Sequence, residues 1–373
     1  MVLKSFKLRL YPNLEQSSKL NKTLGCTRLV YNYFLDYKIN LYKNTGTSIN
    51  YKDCSKLLTQ LKIDRPFLKE VDKFSMQNVL KDLHSAYDHF FKDGFGFPKF
   101  KSKRNHKNSY TTNFTNNNIK IENHHIQLPK VGKVKYKGYK NKNISEYKIV
   151  RATISKNNLN QYFCSVTCEV DIQPMPKLAT SVGIDFGIKT FVTLSNGETV
   201  VNPRTLFVYE YKLAKEQRKL SKKQKGSKNY EKQRLKIAKI HNKVANIRED
   251  FLQKETTKII KENQIINIEK LSVKMMMTSK EYKNIAKELA NVSINKAINM
   301  LKCKTDWYKR TIVEIGEYYP SSQLCSCCGY QNKELKLNDR EWICPSCNTY
   351  LDRDYNASIN ILKEGQRILA TRK

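Results

Sequence analysis

The segment CPSCNTYLDRDYNAS, residues 344–358, runs a cysteine pair into two aspartates with almost no linker. A first pair, Cys325-x2-Cys328, lies fifteen residues before the second, Cys344-x2-Cys347, and two C-x-x-C pairs at this distance are typical of a four-cysteine zinc ribbon. Four thiolates close the coordination shell, so we expect one structural Zn²⁺ held by these cysteines and no catalytic role for that ion. Four unrelated thiols are the alternative interpretation.

The turns of this cysteine module carry a second signal. Gly329 and Asn348 each follow the second cysteine of a pair, where a knuckle turn favours a positive φ. Cys327 adds a thiol to the first pair, but only Cys325 with Cys328 leaves the two-residue spacer. The other cysteines are scattered and no signal-peptide pattern is present, so we expect metal binding in a reducing, cytoplasmic compartment rather than disulfides.

The composition indicates the class of partner. The 373 residues carry 69 Lys and Arg against 34 Asp and Glu, a formal charge of +35, while 39% hydrophobic residues are enough for a folded core. Such a charge excess repels itself unless a polyanion neutralises it, and it predicts salt-dependent binding. A membrane surface is the other candidate, but no long apolar run or basic amphipathic anchor stands out. Nucleic acid is therefore the expected partner, with no membrane association.

Two basic clusters are the candidate contacts to nucleic acid. Residues 212–243 contain thirteen Lys or Arg and two Glu, and we interpret them as a basic helix whose like charges at i,i+4 repel one another. A solvated helix face is the alternative, but this density favours contacts to a phosphate backbone. Residues 94–109, in which Gly and Pro end the preceding helix, form a second cluster of positively charged residues. The candidate binding residues are Lys101, Lys103, Arg104, Lys222, Lys223 and Lys225.

Periodicity predicts two architectures along the chain. Residues 3–10 alternate as a half-buried strand, 14–92 have helical spacing, and 110–175 alternate again as short strands with Asn- and Gly-rich turns. We expect a small antiparallel barrel or sandwich that includes the first strand, with the helices inserted. The segment PMPK, residues 174–177, is the predicted boundary.

Beyond that boundary, strands and helices alternate, which predicts a mixed α/β sheet. Residues 181–201 are expected to form two strands around the Asn196-Gly197 hairpin turn. The basic helix, the buried strand QIINIEKL, a helix over 286–309, the strand TIVEIGE, the cysteine module and a final helix follow.

Three carboxylates interrupt these elements. Asp185 lies in the apolar strand VGIDFGIK, Glu269 in IINIEKL, and Asp354 at the start of the final helix. Each alone could be a strand-end residue facing water, but a buried unpaired charge is costly, and the three together favour metal ligation. Oxygen ligands without histidine suit Mg²⁺ or Mn²⁺, and two such ions hydrolyse phosphodiesters. Residues 183 and 187 are glycines, which permit close approach of backbone or ligand.

The order of motifs resembles the TnpB family, RNA-guided nucleases encoded by insertion sequences and related to type V CRISPR effectors. The motifs are FKLRLYPNLEQ, TRLVYNYFL, GFPKFKSKR, GIDFGIK, SKKQKGSKN, NIEKL, YYPSSQLCSCCG and DRDYNASINIL, which together extend over essentially the whole chain. The resemblance implies a RuvC-like, RNase H-type domain at 178–373 with a zinc ribbon inserted at 320–350. It also implies a wedge-like β-barrel at 1–12 and 108–177, and a helical recognition domain at 13–107.

The resemblance further implies a catalytic triad of Asp185, Glu269 and Asp354 with two Mg²⁺ (or Mn²⁺) ions. It implies a guide RNA from the transposon end, a double-stranded DNA target and its displaced strand, and a prokaryotic protein that is nucleoid-associated when bound to DNA. A monomer is favoured. Asp352 is expected to cap a turn or support the site. The residues implied to read a short motif flanking the target are Tyr51, Ser55, Lys73, Gln77, Thr112 and Asn113.

Three other functions compete with RNA-guided DNA cleavage. A strand transferase of this fold usually ends its acidic triad with Glu, whereas this chain has Asp354. A binding-only repressor is disfavoured because the triad is complete. A miniature type V CRISPR effector would differ from such a nuclease only in the DNA that adjoins its gene, a repeat array instead of a transposon end. The chain departs from the family pattern at Cys327 and at Ser358, where alanine is common, and neither is a proposed ligand.

Overall fold

The computed structural model describes residues 1–103, 108–138, 144–271, 293–336 and 339–371. The chain divides into two compact units, Met1–Asp171 and Ile172–Lys373. The division falls shortly before the predicted boundary segment at 174–177. Among the described residues, no helix is both long enough and apolar enough to span a membrane.

The helices of the first unit occupy the predicted segment 14–92. They are α1 (Leu14–Thr45), α2 (Tyr51–Asp64), a short 3-10 helix (Pro66–Glu70) and α3 (Lys73–Lys92). Asn13 and Asn50 start α1 and α2 with capping boxes, and Asp72 caps α3. Leucine, valine and aromatic side chains from all three helices form one buried cluster, which includes Phe34 and Leu83.

A seven-stranded antiparallel half-barrel forms the rest of the first unit. Its strands are β1 (Val2–Tyr11), β2 (Asn108–Asn113), β3 (Lys120–Glu122), β4 (His125–Leu128), β5 (Gly132–Lys137), β6 (Lys148–Lys156) and β7 (Tyr162–Val170). Their spatial order is β2-β6-β7-β1-β5-β4-β3. The prediction that the first strand belongs to this sheet is confirmed, since β1 pairs with both β5 and β7. Its alternating residues Phe6, Leu8 and Leu10 are buried.

The second unit contains a mixed five-stranded sheet, as expected. Its strands are β8 (Ser181–Phe186), β9 (Thr190–Leu194), β10 (Thr199–Val201), β11 (Ile265–Glu269) and β12 (Thr311–Ile315), in the order β10-β9-β8-β11-β12. β8, β11 and β12 are parallel, whereas β9 and β10 are antiparallel to their neighbours.

The prediction of two strands over 181–201 is wrong, because the structure has three. Gly187 permits an extra tight turn before β9: a Cβ there would lie 2.5 Å from the Thr190 carbonyl oxygen. The Asn196-Gly197 turn is where the sequence predicted it, between β9 and β10, and Gly197 has a φ of 89°.

The described helices of this unit are α4 (Thr205–Ser221), α5 (Lys228–Glu262), α6 (Ile294–Tyr308) and α7 (Arg353–Thr371). The single basic helix predicted over 212–243 is wrong: it is broken into α4 and α5. Gly226 adopts a φ of 89°, and the Ser227 side chain caps α5 by accepting from the Tyr230 amide at 3.1 Å. Of the helix predicted over 286–309, residues 286–292 lie outside the described residues.

Two helical layers cover opposite faces of the mixed sheet. Val182 and Ile184 of β8 share a buried cluster with Leu252 of α5 and Leu301 of α6. The alternate residues of β8 face α7, because side chains alternate along a strand. A Cβ at Gly183 would lie 2.0 Å from the Ser358 carbonyl oxygen, so the backbone of α7 rests directly on β8. This confirms the close backbone approach expected at residue 183.

Candidate metal centres

The three predicted carboxylates meet at one edge of the mixed sheet. Glu269 ends β11, and Asp185 follows Ile184, which pairs with Ile268 in the parallel ladder. The two acids are therefore neighbours at the carboxyl ends of adjacent strands. Asp354 lies in the first turn of α7, four residues before Ser358, on the helix face that rests on β8.

Burial and mutual repulsion perturb these carboxylates. Burial raises the pKa of Asp185 to about 8, and the negative charges of Glu269 and Asp354 contribute to this rise, against the positive charges of Arg353 and Arg340. Burial also raises the pKa of Glu269, and the hydrogen bond from Ser321 opposes that shift. Like charges this close at a half-buried edge favour a bound cation that neutralises them.

The donor atoms of the three acids bear on the predicted magnesium site. They are carboxylate oxygens, which suit a hard divalent cation. Within the described residues, the ligand atoms of the four cysteines all lie within 4.8 Å of one another. The three carboxylates do not form a cluster this tight. The three carboxylates therefore match a hard cation in donor type, but they do not form one closed ligand shell.

Sequence reasoning missed two neighbours of these carboxylates. The Ser321 hydroxyl donates to Glu269 Oε1, and a guanidinium nitrogen of Arg340 lies 3.4 Å from Asp354 Oδ1. Each contact joins residues that are distant in the chain, 52 and 14 positions apart. Neither pairing has a local spacing signal, so only the folded chain identifies them.

The role expected for Asp352 as a capping residue is confirmed. Asp352 ends β14 (Tyr350–Asp352), which pairs with β13 (Glu341–Ile343) in the ribbon. Its Oδ1 accepts a hydrogen bond of 2.7 Å from the Tyr355 amide in the first turn of α7. This contact satisfies an amide that the helix itself cannot pair.

The predicted cysteine cluster is confirmed. Its Sγ atoms approach in pairs, Cys325 with Cys347 and Cys328 with Cys344, each at 3.6 Å. Four sulfurs about 2.3 Å from a central Zn²⁺ would be about 3.8 Å apart in a tetrahedron, so the cluster has the size of a zinc shell. Gly329 and Asn348 adopt φ values of 78° and 56°, as expected for the knuckle turns. Trp342 and Leu351 form the small core beneath them.

The basic residues predicted to contact nucleic acid differ in how exposed their side chains are. Lys222, Lys223 and Lys225 lie in the turn between α4 and α5, where Lys222 and Lys225 are exposed, and Lys103 is also exposed. Lys101 makes a cation–π contact with α1, because its Nζ lies 3.8 Å from the centroid of the Tyr31 ring. Burial lowers the pKa of Lys101. Arg104 lies outside the described residues.

The six residues implied to read a flanking motif lie on three elements of the first unit: Tyr51 and Ser55 on α2, Lys73 and Gln77 on α3, and Thr112 and Asn113 on β2. The Asn78 side chain brings α3 to β2 by donating to the Thr111 carbonyl at 2.9 Å and to Asn113 Oδ1 at 3.2 Å. Thr112 is 0% exposed, so its side chain would need a local rearrangement to touch DNA. Their role in binding stays a prediction.

Comparison with known proteins gives three family matches. Residues 164–280 match a family described as "Probable transposase" (OrfB_IS605), and residues 295–361 match "Cas12f1-like, TNB domain". Residues 1–47 match "Helix-turn-helix domain", although this part of the structure is one strand and one 32-residue helix.

Two bacterial relatives and one solved structure match almost the whole chain. A Streptomyces pristinaespiralis protein named "Putative RNA-guided DNA endonuclease" is 34% identical over 98% of this chain and 90% of its own. An Escherichia coli K12 protein, "Putative RNA-guided DNA endonuclease InsQ", is 30% identical over 99% and 94%. The protein in a "Cas12f1-sgRNA-target DNA complex" shares the fold, with a TM-score of 0.57 and 14% identity over 96% of this chain and 98% of that one.

Proposed function

Because this chain belongs to the IS605 OrfB (TnpB) family, we propose that it is an RNA-guided DNA endonuclease that cleaves by metal-dependent phosphodiester hydrolysis. The observation that carries the proposal is the convergence of Asp185, Glu269 and Asp354 at one sheet edge. The names of the two bacterial relatives, which match over 90% or more of their own lengths, agree with it.

The second unit is proposed to be a RuvC-like, RNase H-type nuclease domain. Within this unit, the acids lie on the first strand, the fourth strand and the helix after the ribbon, as the resemblance implies. The parallel β8-β11-β12 ladder with antiparallel β9 and β10 supports this assignment. In the first unit, the half-barrel and helices are proposed to be the wedge-like and recognition domains.

The proposed ligands of two Mg²⁺ (or Mn²⁺) ions are Asp185, Glu269 and Asp354. When bound, such ions activate the attacking water and stabilise the leaving oxygen of the phosphodiester. The protein's own contribution is to hold the carboxylates at one edge. The guanidinium of Arg340 is more than half exposed beside Asp354, and it is positioned to donate to a phosphate oxygen near the ions.

The proposed partners are a guide RNA and a DNA target with its displaced strand. The charge of +35 supports polyanion binding, and the solved Cas12f1 structure of the same fold is a complex with sgRNA and target DNA. Guide pairing would supply sequence specificity, while the protein contacts backbone and a flanking motif. One Zn²⁺ in the cysteine cluster is proposed to stabilise the ribbon.

A plasmid-cleavage assay tests this function. The full chain would be purified with its copurifying RNA, which is sequenced, and then mixed with plasmids that carry the matching target beside randomised flanks. We expect Mg²⁺-dependent linear product from the wild type and none from Asp185→Ala, Glu269→Ala or Asp354→Ala, each of which retains the RNA. Asp306→Ala, which removes an exposed carboxylate on α6, is the control and should cleave normally.

Two results would contradict the proposal. Full cleavage by any of the three carboxylate variants would remove that residue from the site. Joined transposon–target products from the purified protein would identify a strand transferase instead.

A further inference from the structure

The connector between β12 and the ribbon returns to the carboxylate edge. Glu269 of β11 pairs with Ile315 at the end of β12. The chain then turns back through bonds from the Tyr319 amide to the Gly316 carbonyl and from the Ser321 amide to the Tyr319 carbonyl. This turn places the Ser321 hydroxyl against Glu269, where it donates to Oε1.

Ser321 is itself held in place by α7. The Asn360 side chain donates to the Ser321 carbonyl at 2.8 Å and to the Leu324 carbonyl at 2.7 Å. Ser321 is 6% exposed and Asn360 is 4% exposed, so neither exchanges these partners readily for water. Fixing the Ser321 backbone keeps its side chain within hydrogen-bonding reach of Glu269, and burial shields that bond from water.

The same helix face holds the start of the first cysteine knuckle. Asn356 donates to the Leu324 carbonyl at 2.7 Å and accepts from the Ser326 amide at 2.8 Å. These contacts bracket Cys325, the first cysteine of the cluster. The segment 321–326 therefore contacts Glu269 at one end and the cysteine cluster at the other, and α7, which carries Asp354, holds it between them.

We propose that Ser321 is a positioning residue for the metal site, which orients Glu269 by donating to Oε1 and leaves Oε2 to bind a divalent cation. This inference rests on the proposed function, because it assigns Glu269 as a cation ligand. Partners in the outer shell of a metal site fix the orientation of the ligands, and their removal typically weakens metal affinity by about 10- to 100-fold. Asn360 extends the arrangement by fixing the Ser321 backbone.

The test measures Mn²⁺ binding to the full-length, zinc-loaded chain free of nucleic acid, by the electron paramagnetic resonance signal of free Mn²⁺. We expect Ser321→Ala to weaken binding about tenfold and Ser321→Thr, which keeps a hydroxyl, to stay within about twofold of wild type. Ser358→Ala is the matched control, since Ser358 is also buried but, among the described residues, its hydroxyl bonds the Tyr355 carbonyl of its own helix and no carboxylate. Thermal unfolding and zinc content should match between the two alanine variants.

Cleavage kinetics supply a second measurement, because a general loss of structure would not shift the Mg²⁺ dependence of the rate alone. In Ser321→Ala the Mg²⁺ concentration for half-maximal rate should rise about tenfold, while the rate at saturating Mg²⁺ returns close to wild type. Equal Mn²⁺ affinity in Ser321→Ala and Ser358→Ala, or threonine as weak as alanine, would overturn the inference. Glu269→Ala separates the two proposals: if it binds Mn²⁺ as the wild type does, the proposed metal site itself is wrong.

Discussion

Two aspartates only two positions apart have different environments. Asp352 ends β14 and caps α7 through the Tyr355 amide. Asp354 lies inside the first turn, where the helix faces β8, and after burial and Glu269 its charge contributes to the raised pKa of Asp185. The strand-to-helix junction thus separates a capping carboxylate from one that belongs to the proposed metal site.

Single substitutions distinguish these roles. Asp352→Ala should cost about 1 kcal/mol of unfolding free energy, because it removes a helix cap, and should leave cleavage nearly unchanged. Asp354→Ala should abolish cleavage and change stability little, since the relief of charge repulsion offsets the loss of the exposed ion pair with Arg340. Thermal unfolding and plasmid cleavage measure both effects. An inactive Asp352→Ala protein beside an active Asp354→Ala protein would reverse the assignment.

At the scale of elements, the packing of α7 on β8 determines the geometry of the carboxylates. Gly183 lies two residues before Asp185, and Ser358 lies one turn after Asp354. The missing side chain at Gly183 lets the helix backbone reach the strand. Gly365 has the same effect at β11, where a Cβ would lie 2.1 Å from Asn267 Oδ1. Both glycines are needed for close approach, not for an unusual backbone angle.

Gly183→Ala should therefore disturb both stability and the metal site. The added Cβ would lie 2.0 Å from a backbone oxygen, so α7 must shift, at a cost of at least about 1–3 kcal/mol. Denaturant unfolding and Mn²⁺ binding measure the two effects. Gly316→Ala is the control in the same unit, because a Cβ there meets nothing within 4 Å. Equal unfolding midpoints and Mn²⁺ affinities for the two variants would show that α7 does not depend on this contact.

At the scale of the whole molecule, the net charge of +35 is the dominant property. Ion pairs with acidic side chains neutralise some of the lysines. Lys254 and Lys258 form ion pairs at 2.7 Å with Asp250 and 2.8 Å with Glu198, and Lys296 pairs with Glu249. The turn with Lys222, Lys223 and Lys225 has a local excess of positive charge that suits a phosphate backbone.

Replacing Lys222, Lys223 and Lys225 with Gln should weaken RNA binding and reduce its salt dependence. If each lysine contacts one phosphate, the slope of log affinity against log salt should fall by about two for single-stranded RNA. Binding titrations at several NaCl concentrations measure this slope. The control replaces the ion-paired Lys254, Lys258 and Lys296 with Gln and removes the same charge. Equal slopes for the two triple variants would show that the effect is one of net charge alone.

Local patterns predicted most elements and the chemical groups of both proposed sites. Strand alternation, helical spacing, the Asn196-Gly197 turn and the two C-x-x-C pairs depend on residues close in sequence. The structure confirms the turn, the cysteine pairs and most of the strands and helices. The third strand at 190–194 and the break between α4 and α5 were missed, because each depends on a single glycine. Gly187 permits a close approach to the Thr190 carbonyl, and Gly226 adopts a positive φ.

The sequence by itself determined which groups could bind metals: four thiolates at ribbon spacing and three carboxylates in apolar segments or at a helix start. Only the tertiary structure decided that the carboxylates share one edge, that Ser321 holds Glu269 and that Arg340 faces Asp354. The physical reason is the distance along the chain over which each kind of interaction acts. Turn and spacing preferences act over a few residues, whereas the shared carboxylate edge requires parallel strand pairing and the approach of α7 to Gly183, which join segments far apart in the chain. Arg340 reaches Asp354 through the pairing of β13 with β14.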